Sequence, residues 1–389
     1  MSNALINFVR TSQNKPRLDA MVALAQHMLT RSSNDLDADP WLLNCANGVT
    51  DLKTGKFLSP DRGNFITKSC RIKFDSDAKC PKWIEFLNDV TGGDRDLIEF
   101  LQRVVGYSLT GDISEHCLFI LYGSGLNGKS TFLETTMALL GDYSKKAEMR
   151  SFLNKNNEGA NNDIAALCGV RFVSAVEVNR GRRFDESLIK ELTGGDSISA
   201  RFLYKELFTY TPQFKILIGV NSKPEIQGLD EGIWRRIRLI PFEVKIPREK
   251  VDKNLPKKLR GELPGILNWA IEGCLKWQKD GLGEPSKVMD ATSDYRNEMD
   301  VHSQFFDERC VMAFETVGDP VKPFVSVDQL FKEFLGWSQN NGIDKVTKKA
   351  FGTMMGERGF KSKTKSVGGK NQRIYEGIGV KSSSIARDF

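Results

Sequence analysis

The sequence predicts an α/β fold: a central parallel sheet covered by helices, an α+β and helical region before it, and a helix–helix–hairpin module at the end. Three observations predict it. The short apolar runs "CLFILYG", "RFVSAVEV" and "FKILIGVN" each lead into polar residues, as strands buried on both faces do. A glycine-rich loop separates the first run from an apolar helix. Near the end, two helical stretches precede a basic segment split by Gly368-Gly369.

The chain has 389 residues, 40% hydrophobic and 27% charged, an ordinary globular composition with room for two or three domains. Its formal net charge is +6, and the last part, from Lys345 to Arg387, is rich in Lys and Arg with few acids. Such a segment suits a polyanionic partner or is a solvated tail. The seven cysteines are scattered with no C-x-x-C spacing, beside only three histidines. Neither a zinc site nor a disulfide framework is expected, and free thiols fit a reducing compartment. No apolar run is long enough to span a bilayer, and Met1–Arg10 lacks a signal-peptide apolar region. The expectation is a cytoplasmic protein with no membrane partner.

Element by element, residues 1–80 read as an N-terminal α+β domain. Up to about Asp77 short strands and turns are expected, with turns at Asn47-Gly48 and Thr54-Gly55 and a strand in "NFITKSCRIKFD". Residues 81–115 read as a helical collar or oligomerisation segment. Pro81 opens one helix, with Trp83, Phe86, Leu87 and Val90 on its apolar face. Asp94 caps a second, with Leu97, Phe100, Leu101 and Val104. Residues 116–246 hold the three apolar runs and form the sheet domain. Residues 247–301 read as a helical lid whose clearest helix, "LPGILNWAIEGCLKWQKDG", stops at Gly281 and Gly283. In residues 302–389, one helix is capped by Ser326 or Asp328 and a second starts at Thr347. Two strands follow, and the whole makes a winged-helix pattern. Its second helix would enter a major groove, with Lys348, Lys349, Lys361, Lys363 and Lys365 facing phosphate.

The most specific motif is "GSGLNGKST", Gly123 to Thr131, which fits G-x-x-x-x-G-K-[ST] between a buried strand and a helix. Glycines let backbone N–H groups turn inward around phosphate oxygens, and the helix N-terminus adds positive charge. Gly123, Ser124, Gly125, Asn127, Gly128, Lys129, Ser130 and Thr131 are the candidate ATP contacts. Lys129 would reach the β- and γ-phosphates, and the Ser130 hydroxyl would ligate Mg²⁺.

Hydrolysis needs a carboxylate to place water. Glu177 ends "FVSAVE" at the carboxyl end of a strand, where ligands of open α/β sheets sit, and could also support Mg²⁺. Asn221 ends "KILIGVN" and could orient the attacking water; a turn-forming Asn is the plainer reading. "GIWRRIRLIPF" offers Arg235 and Arg236 as an arginine finger, or as surface cations. Trp234 between them and the helix reads as packing. "DESLIKELTGG" reads as a helix capped by Asp185. "SISARFLY" and "LFTYTP" read as strands around a tip at Lys205-Glu206, where Arg201 and Lys205 could hold DNA phosphate.

Together these residues resemble a superfamily 3 helicase, most closely the helicase half of phage, plasmid and poxvirus primase–helicases. "GSGLNGKST", "AVEV", "LIKELTGGDSISARFLY", "ILIGVNSKP" and "WRRIRLIPF" follow that family's order and approximate spacing. The ATPase match covers about Cys117 to Val244, and the flanking segments resemble the domains on either side. The resemblance implies a P-loop AAA+-type ATPase core, a homo-hexameric ring with ATP sites between subunits, and 3′-to-5′ movement on single-stranded and forked DNA. Carried over by motif, Glu177 is the Walker B acid, Asn221 the sensor, one of Arg235 and Arg236 the finger, and Lys205 part of the DNA hairpin. Many members carry two adjacent acids where this chain has Glu177 alone between Val176 and Val178. No primase motif is found, so helicase action without primer synthesis is expected, with a host- or element-encoded primase or polymerase as a further partner. The alternative is a DNA-dependent P-loop ATPase that loads, packages or binds origin DNA without unwinding.

Overall fold

The structure is a computed structural model, and it describes residues 2–28, 32, 35–154, 162–176, 183–226, 230–247, 249, 251–312, 323–341 and 346–381. Two helices open it where strands and turns are expected: α1 (Asn3–Ser12) and α2 (Lys15–Met28). Leu5, Phe8 and Val9 recur at helical spacing, and Asn14 with Pro16 marks the break. Neither helix buries a residue, so no core pattern advertises them. The strands β1 (Leu42–Cys45), β2 (Gly48–Asp51) and β3 (Lys56–Leu58) then form an antiparallel sheet. The strand expected in "NFITKSCRIKFD" does not form. Phe65 and Arg71 take left-handed backbone angles (φ 45° and 61°), which break the extended run. What survives is irregular pairing: Cys70 N–H donates to Asn44 O at 3.0 Å and Ala46 N–H to Ile72 O at 2.8 Å.

The next two helices start where Pro81 and Asp94 place them: α3 (Pro81–Thr91) and α4 (Arg95–Leu109). Asp94 accepts from Leu97 N–H at 3.0 Å, and Trp83, Phe86, Leu87, Val90, Leu97, Phe100, Leu101 and Val104 are all buried.

The middle of the chain alternates strand and helix. In order come β4 (Leu118–Tyr122), α5 (Lys129–Leu140), β5 (Ser144–Lys146), α6 (Asn162–Ala165) and β6 (Phe172–Val176). They are followed by α7 (Glu186–Gly194), β7 (Ile198–Ala200), β8 (Phe208–Tyr210), β9 (Lys215–Val220), α8 (Glu231–Trp234) and β10 (Ile237–Pro241). Five strands make one parallel sheet in the order β10-β4-β9-β6-β5. Because β9 inserts between β4 and β6, the residue after β9 lies beside the loop after β4.

The sheet buries both faces with the two-residue period of a strand. Phe119, Leu121, Phe172, Leu217 and Ile240 face one core, shared with α3, α4 and α5. Leu118, Ile120, Val173, Ile216, Ile218 and Leu239 face the other, with Trp234. Trp234 is packing, as expected: it is buried and meets Tyr295 edge-on at 5.3 Å.

After the sheet come α9 (Leu255–Gly261), α10 (Leu263–Asp280) and α11 (Ser286–Met299). α10 crosses α4 backbone to backbone. A Cβ on Gly106 would stand 2.1 Å from Cys274 N, and one on Gly273 would stand 2.2 Å from Gln102 O. Only glycine permits that approach. The first core therefore joins α10 to residues 43–109 and to one face of the sheet.

The last module has its own core, built on Phe305, Phe334, Trp337, Phe351 and Tyr375. It comprises α12 (Val301–Arg309), β11 (Cys310–Met312), β12 (Phe324–Ser326), α13 (Val327–Asn340), α14 (Lys348–Glu357), β13 (Ser362–Val367), β14 (Lys370–Glu376) and β15 (Ile378–Val380). Ser326 and Thr347 cap α13 and α14. β13 and β14 turn at Gly368-Gly369, with positive φ at both, and β12 joins β14. β11 pairs with β15.

Candidate functional site

The loop between β4 and α5 folds as its glycines dictate. Gly125 and Gly128 take φ of 97° and 83°, and Leu126 follows at 51°. Gly123 has no room for a side chain: a Cβ there would stand 2.0 Å from Asn127 Nδ2 and 2.2 Å from Phe242 O. Asn127 is buried and its amide donates to Phe242 O at 2.9 Å, pinning the loop to the residue after β10. Ile246 N–H donates to Leu126 O at 2.8 Å and adds a second tie. Among the described residues the N–H groups of Ser124, Gly125, Leu126, Asn127 and Gly128 find no acceptor. Five donors around a concave loop form a ready anion cradle.

Lys129, the first residue of α5, is buried and folds back into this loop. Its Nζ donates to Gly123 O at 2.7 Å, Asn127 Oδ1 at 2.9 Å and Asn221 Oδ1 at 3.1 Å. All three partners are neutral oxygens. Burial pushes its pKa below the ordinary lysine value. Ser130 is exposed at the helix start and Thr131 lies half-buried beside it. A cleft of about 320 Å³ runs along Gly125–Thr131 and reaches Val176, Gly219 and Asn221. Val176 ends β6 opposite Gly219, so the chain position of Glu177 follows directly; Glu177 itself lies outside the described residues.

Sequence reasoning missed a second cleft that continues the first. It is about 520 Å³ and shares Leu126, Gly128 and Thr131. Its walls come from Phe86 and Asp89 of α3, Val244 and Ile246 after β10, and Leu255 of α9. A Cβ on Gly128 would meet Val90 of α3 at 2.4 Å. The helical pattern of α3 shows which residues are apolar, not that they wall a cleft beside the loop, so no local signal could have found this.

The two arginines separate cleanly. Arg236 is buried, donating to Thr193 Oγ1 at 3.0 Å and Gly232 O at 2.6 Å, which ties α8 to α7. Arg235 is exposed, and its side chain has no hydrogen-bond or ionic partner among the described residues. Both precede Ile237, which pairs with Leu118 at the start of β4, whereas the glycine loop follows Tyr122 at its end. They therefore sit at the opposite end of the sheet from Lys129, roughly 13 Å away along the strand at 3.3 Å per residue.

Arg201 and Lys205 lie between β7 and β8, both exposed. Those strands are shorter than expected, and the turn runs from Phe202 to Lys205, with Lys205 N–H donating to Phe202 O at 3.0 Å. In the last module Lys348 pairs with Asp328, Lys363 pairs with Glu376 at 3.0 Å, and Lys365 lies 4.5 Å from the centre of the Phe324 ring. Lys349 and Lys361 are exposed. With Lys348 and Arg373 they line a cleft of about 650 Å³ between α14 and the hairpin, with Gly352 and Gly356 beside it.

The parallel five-stranded sheet, with a glycine-rich loop joining its β4 strand to α5, defines a mixed α/β protein compatible with a phosphate-loop core. Comparison with known proteins agrees. Residues 1–92 match the family model described as D5 N terminal like, and residues 121–236 match a family of unknown function (DUF5906). The chain is 30% identical over 329 residues to a protein of Acanthamoeba polyphaga mimivirus named "Putative helicase L207/L206", covering 79% of this chain and 34% of that protein. It is 28% identical over 236 residues to "Putative helicase 022R" of Frog virus 3, covering 55% of this chain and 24% of that protein. The chain thus spans about a third or less of these relatives. In fold it is similar to the apo structure of the NrS-1 C-terminal region, with a TM-score of 0.51 and 10% identity, covering 92% of this chain and 90% of that one. The viral relatives are named as putative helicases, and the likeness to the NrS-1 region is one of fold. Among the described residues no helix is long and apolar enough to cross a membrane.

Proposed function

We propose that the chain is an ATP-dependent DNA helicase motor, acting as a hexameric ring that moves 3′-to-5′ on single-stranded DNA. The observation that carries this reading is the buried Lys129 ammonium. Among the described residues it is held at the mouth of a cradle of N–H groups without acceptors, by neutral oxygens alone. A buried cation without a counter-ion is costly, and a triphosphate is the anion that fits the loop.

In this reading the N–H groups of Ser124 to Gly128 hold phosphate oxygens, and Lys129 leaves its carbonyl partners for the β- and γ-phosphates. The cleft of Phe86, Asp89, Val244 and Leu255 takes the nucleoside. Ser130 and Glu177 hold Mg²⁺, which neutralises phosphate charge when bound. Glu177 places the attacking water and Asn221 orients it. Arg235 serves a neighbouring subunit, because it is exposed and stands at the far end of its own sheet. The last module is read as a winged helix, with its basic cleft on the DNA backbone.

The test is strand displacement on a forked DNA, with purified full chain, ATP and Mg²⁺. Displacement that stops in Glu177→Gln is expected. Hydrolysis without displacement would favour an ATPase that loads or packages DNA.

A further inference from the structure

The turn between β7 and β8 carries an anomaly that phosphate contacts do not explain. Phe202 to Lys205 is a four-residue turn closed by the Lys205 N–H to Phe202 O bond. Its third residue, Tyr204, has φ +60°, while Leu203 before it does not have positive φ. That is the pattern of a type II turn, whose third position ordinarily takes glycine. A bulky aromatic there is strained. It gains nothing from burial in return, since Tyr204 is 95% exposed.

Phe202, Leu203 and Leu207 around it are exposed as well. The tip is nonetheless firmly mounted. Phe202 stacks on Phe208 at 5.9 Å, and Phe208 on Tyr210 at 5.9 Å. Tyr210 donates to Ile164 O at 2.6 Å, and Leu203 N–H donates to the Asn162 side chain. An aromatic ladder thus runs from the protein body to Phe202, at the base of the turn that projects Tyr204. The cations Arg201 and Lys205 flank it, against one acid, Glu206.

We propose that Tyr204 is a stacking platform for an unpaired nucleic-acid base, with Arg201 and Lys205 holding the adjoining phosphates. A projecting aromatic between cations has the chemistry that single strands use: a π-face for any base and positive charge for the backbone. A duplex offers no free base face, so the tip selects single strands without selecting sequence. The proposal rests on the DNA-motor reading for its partner, but not on the phosphate loop's chemistry.

The experiment measures binding of the full chain to a fluorescent oligothymidylate and to an abasic strand of equal length, without nucleotide. Triphosphate hydrolysis by the same preparation reports separately on the phosphate loop. Tyr204→Ala is expected to bind oligothymidylate about tenfold more weakly, the size of one stacked base. It should bind the abasic strand as the unaltered chain does, and Tyr204→Phe should retain binding to both. Equal binding of both strands by the unaltered chain would overturn the proposal. So would a Tyr204→Ala variant that changes the sedimenting assembly and not DNA affinity, which would make a second copy of the chain the occupant.

Discussion

Lys129 Nζ donates to Asn221 Oδ1 at 3.1 Å, joining the start of α5 to the end of β9 across the floor of the cleft. The contact exists because β9 lies between β4 and β6, so residues ninety-two apart in sequence meet at one end of the sheet. Lys129→Ala is expected to remove nearly all ATP hydrolysis, since the phosphate charge loses its main partner. Asn221→Ala should cost at least about tenfold, or ~1.4 kcal/mol of barrier. The double variant should be no slower than Lys129→Ala, because groups acting as a unit do not add. Phosphate release measures all three, and near-normal turnover by Lys129→Ala would remove the site assignment.

The same lysine makes nucleotide affinity depend on pH. Burial lowers its pKa in the empty site. A bound triphosphate favours the ammonium and raises the pKa again. Binding therefore takes up a proton wherever the empty-site lysine is partly neutral, and affinity falls as pH rises through that range. Calorimetry in buffers of different ionisation enthalpy should show proton uptake on the alkaline side, absent in Lys129→Arg. Affinity independent of alkaline pH would contradict the burial argument.

Arg235 and Arg236 are adjacent, but their alanine variants should fail differently. Arg236→Ala removes the guanidinium bonds to Thr193 Oγ1 and Gly232 O and leaves Gly232 O without its side-chain donor, at a cost of about 1–3 kcal/mol, seen as a lower Tm. Arg235→Ala removes an exposed side chain and should leave stability within about 0.5 kcal/mol while lowering hydrolysis. Mixing Arg235→Ala with Lys129→Ala subunits should restore part of that hydrolysis. A mixture no better than its components would rule out action in trans.

How much was legible follows from how local each signal is. The three apolar strands of the sheet, the caps at Asp94, Asp185, Ser326 and Thr347, and the glycine loop are written in a few neighbouring residues, and all appear, whereas the polar β5 carries no such run. α1 and α2 were missed because they bury nothing, leaving no core pattern to read. The strand expected after Phe65 failed because two residues take left-handed angles that their side chains do not announce. At the site, Lys129 and Asn221 were legible as motif positions, whereas their contact was not, because it depends on strand order. The Arg235 and Arg236 distinction rests on which side of a short helix faces α7, which adjacent identical residues conceal.

The buried cations at the base of the sheet give a further test. Lys215, at the start of β9, is wholly buried and donates to the Thr110 and Asp112 carbonyls, 4.6 Å from the centre of the Tyr107 ring. Arg171, just before β6, donates to Leu109 O at 2.8 Å and Leu42 O at 2.9 Å. Together they hold the carboxyl end of α4, where unpaired carbonyls favour positive charge. Among the described residues no carboxylate bonds to Lys215, and burial drives its pKa well below the ordinary lysine value. Between that lowered value and the value in the unfolded chain, the unfolded chain holds more protons, so stability rises with pH. The destabilising contribution is fully present below the folded pKa and is relieved as pH climbs towards the unfolded one. The unaltered chain should therefore gain stability relative to Lys215→Met as pH is raised through the alkaline range. Comparing the two proteins cancels the buried tyrosines and cysteines, whose titration runs the other way. Denaturant midpoints across that range measure it, and a constant difference between the two proteins would mean that Lys215 stays charged throughout.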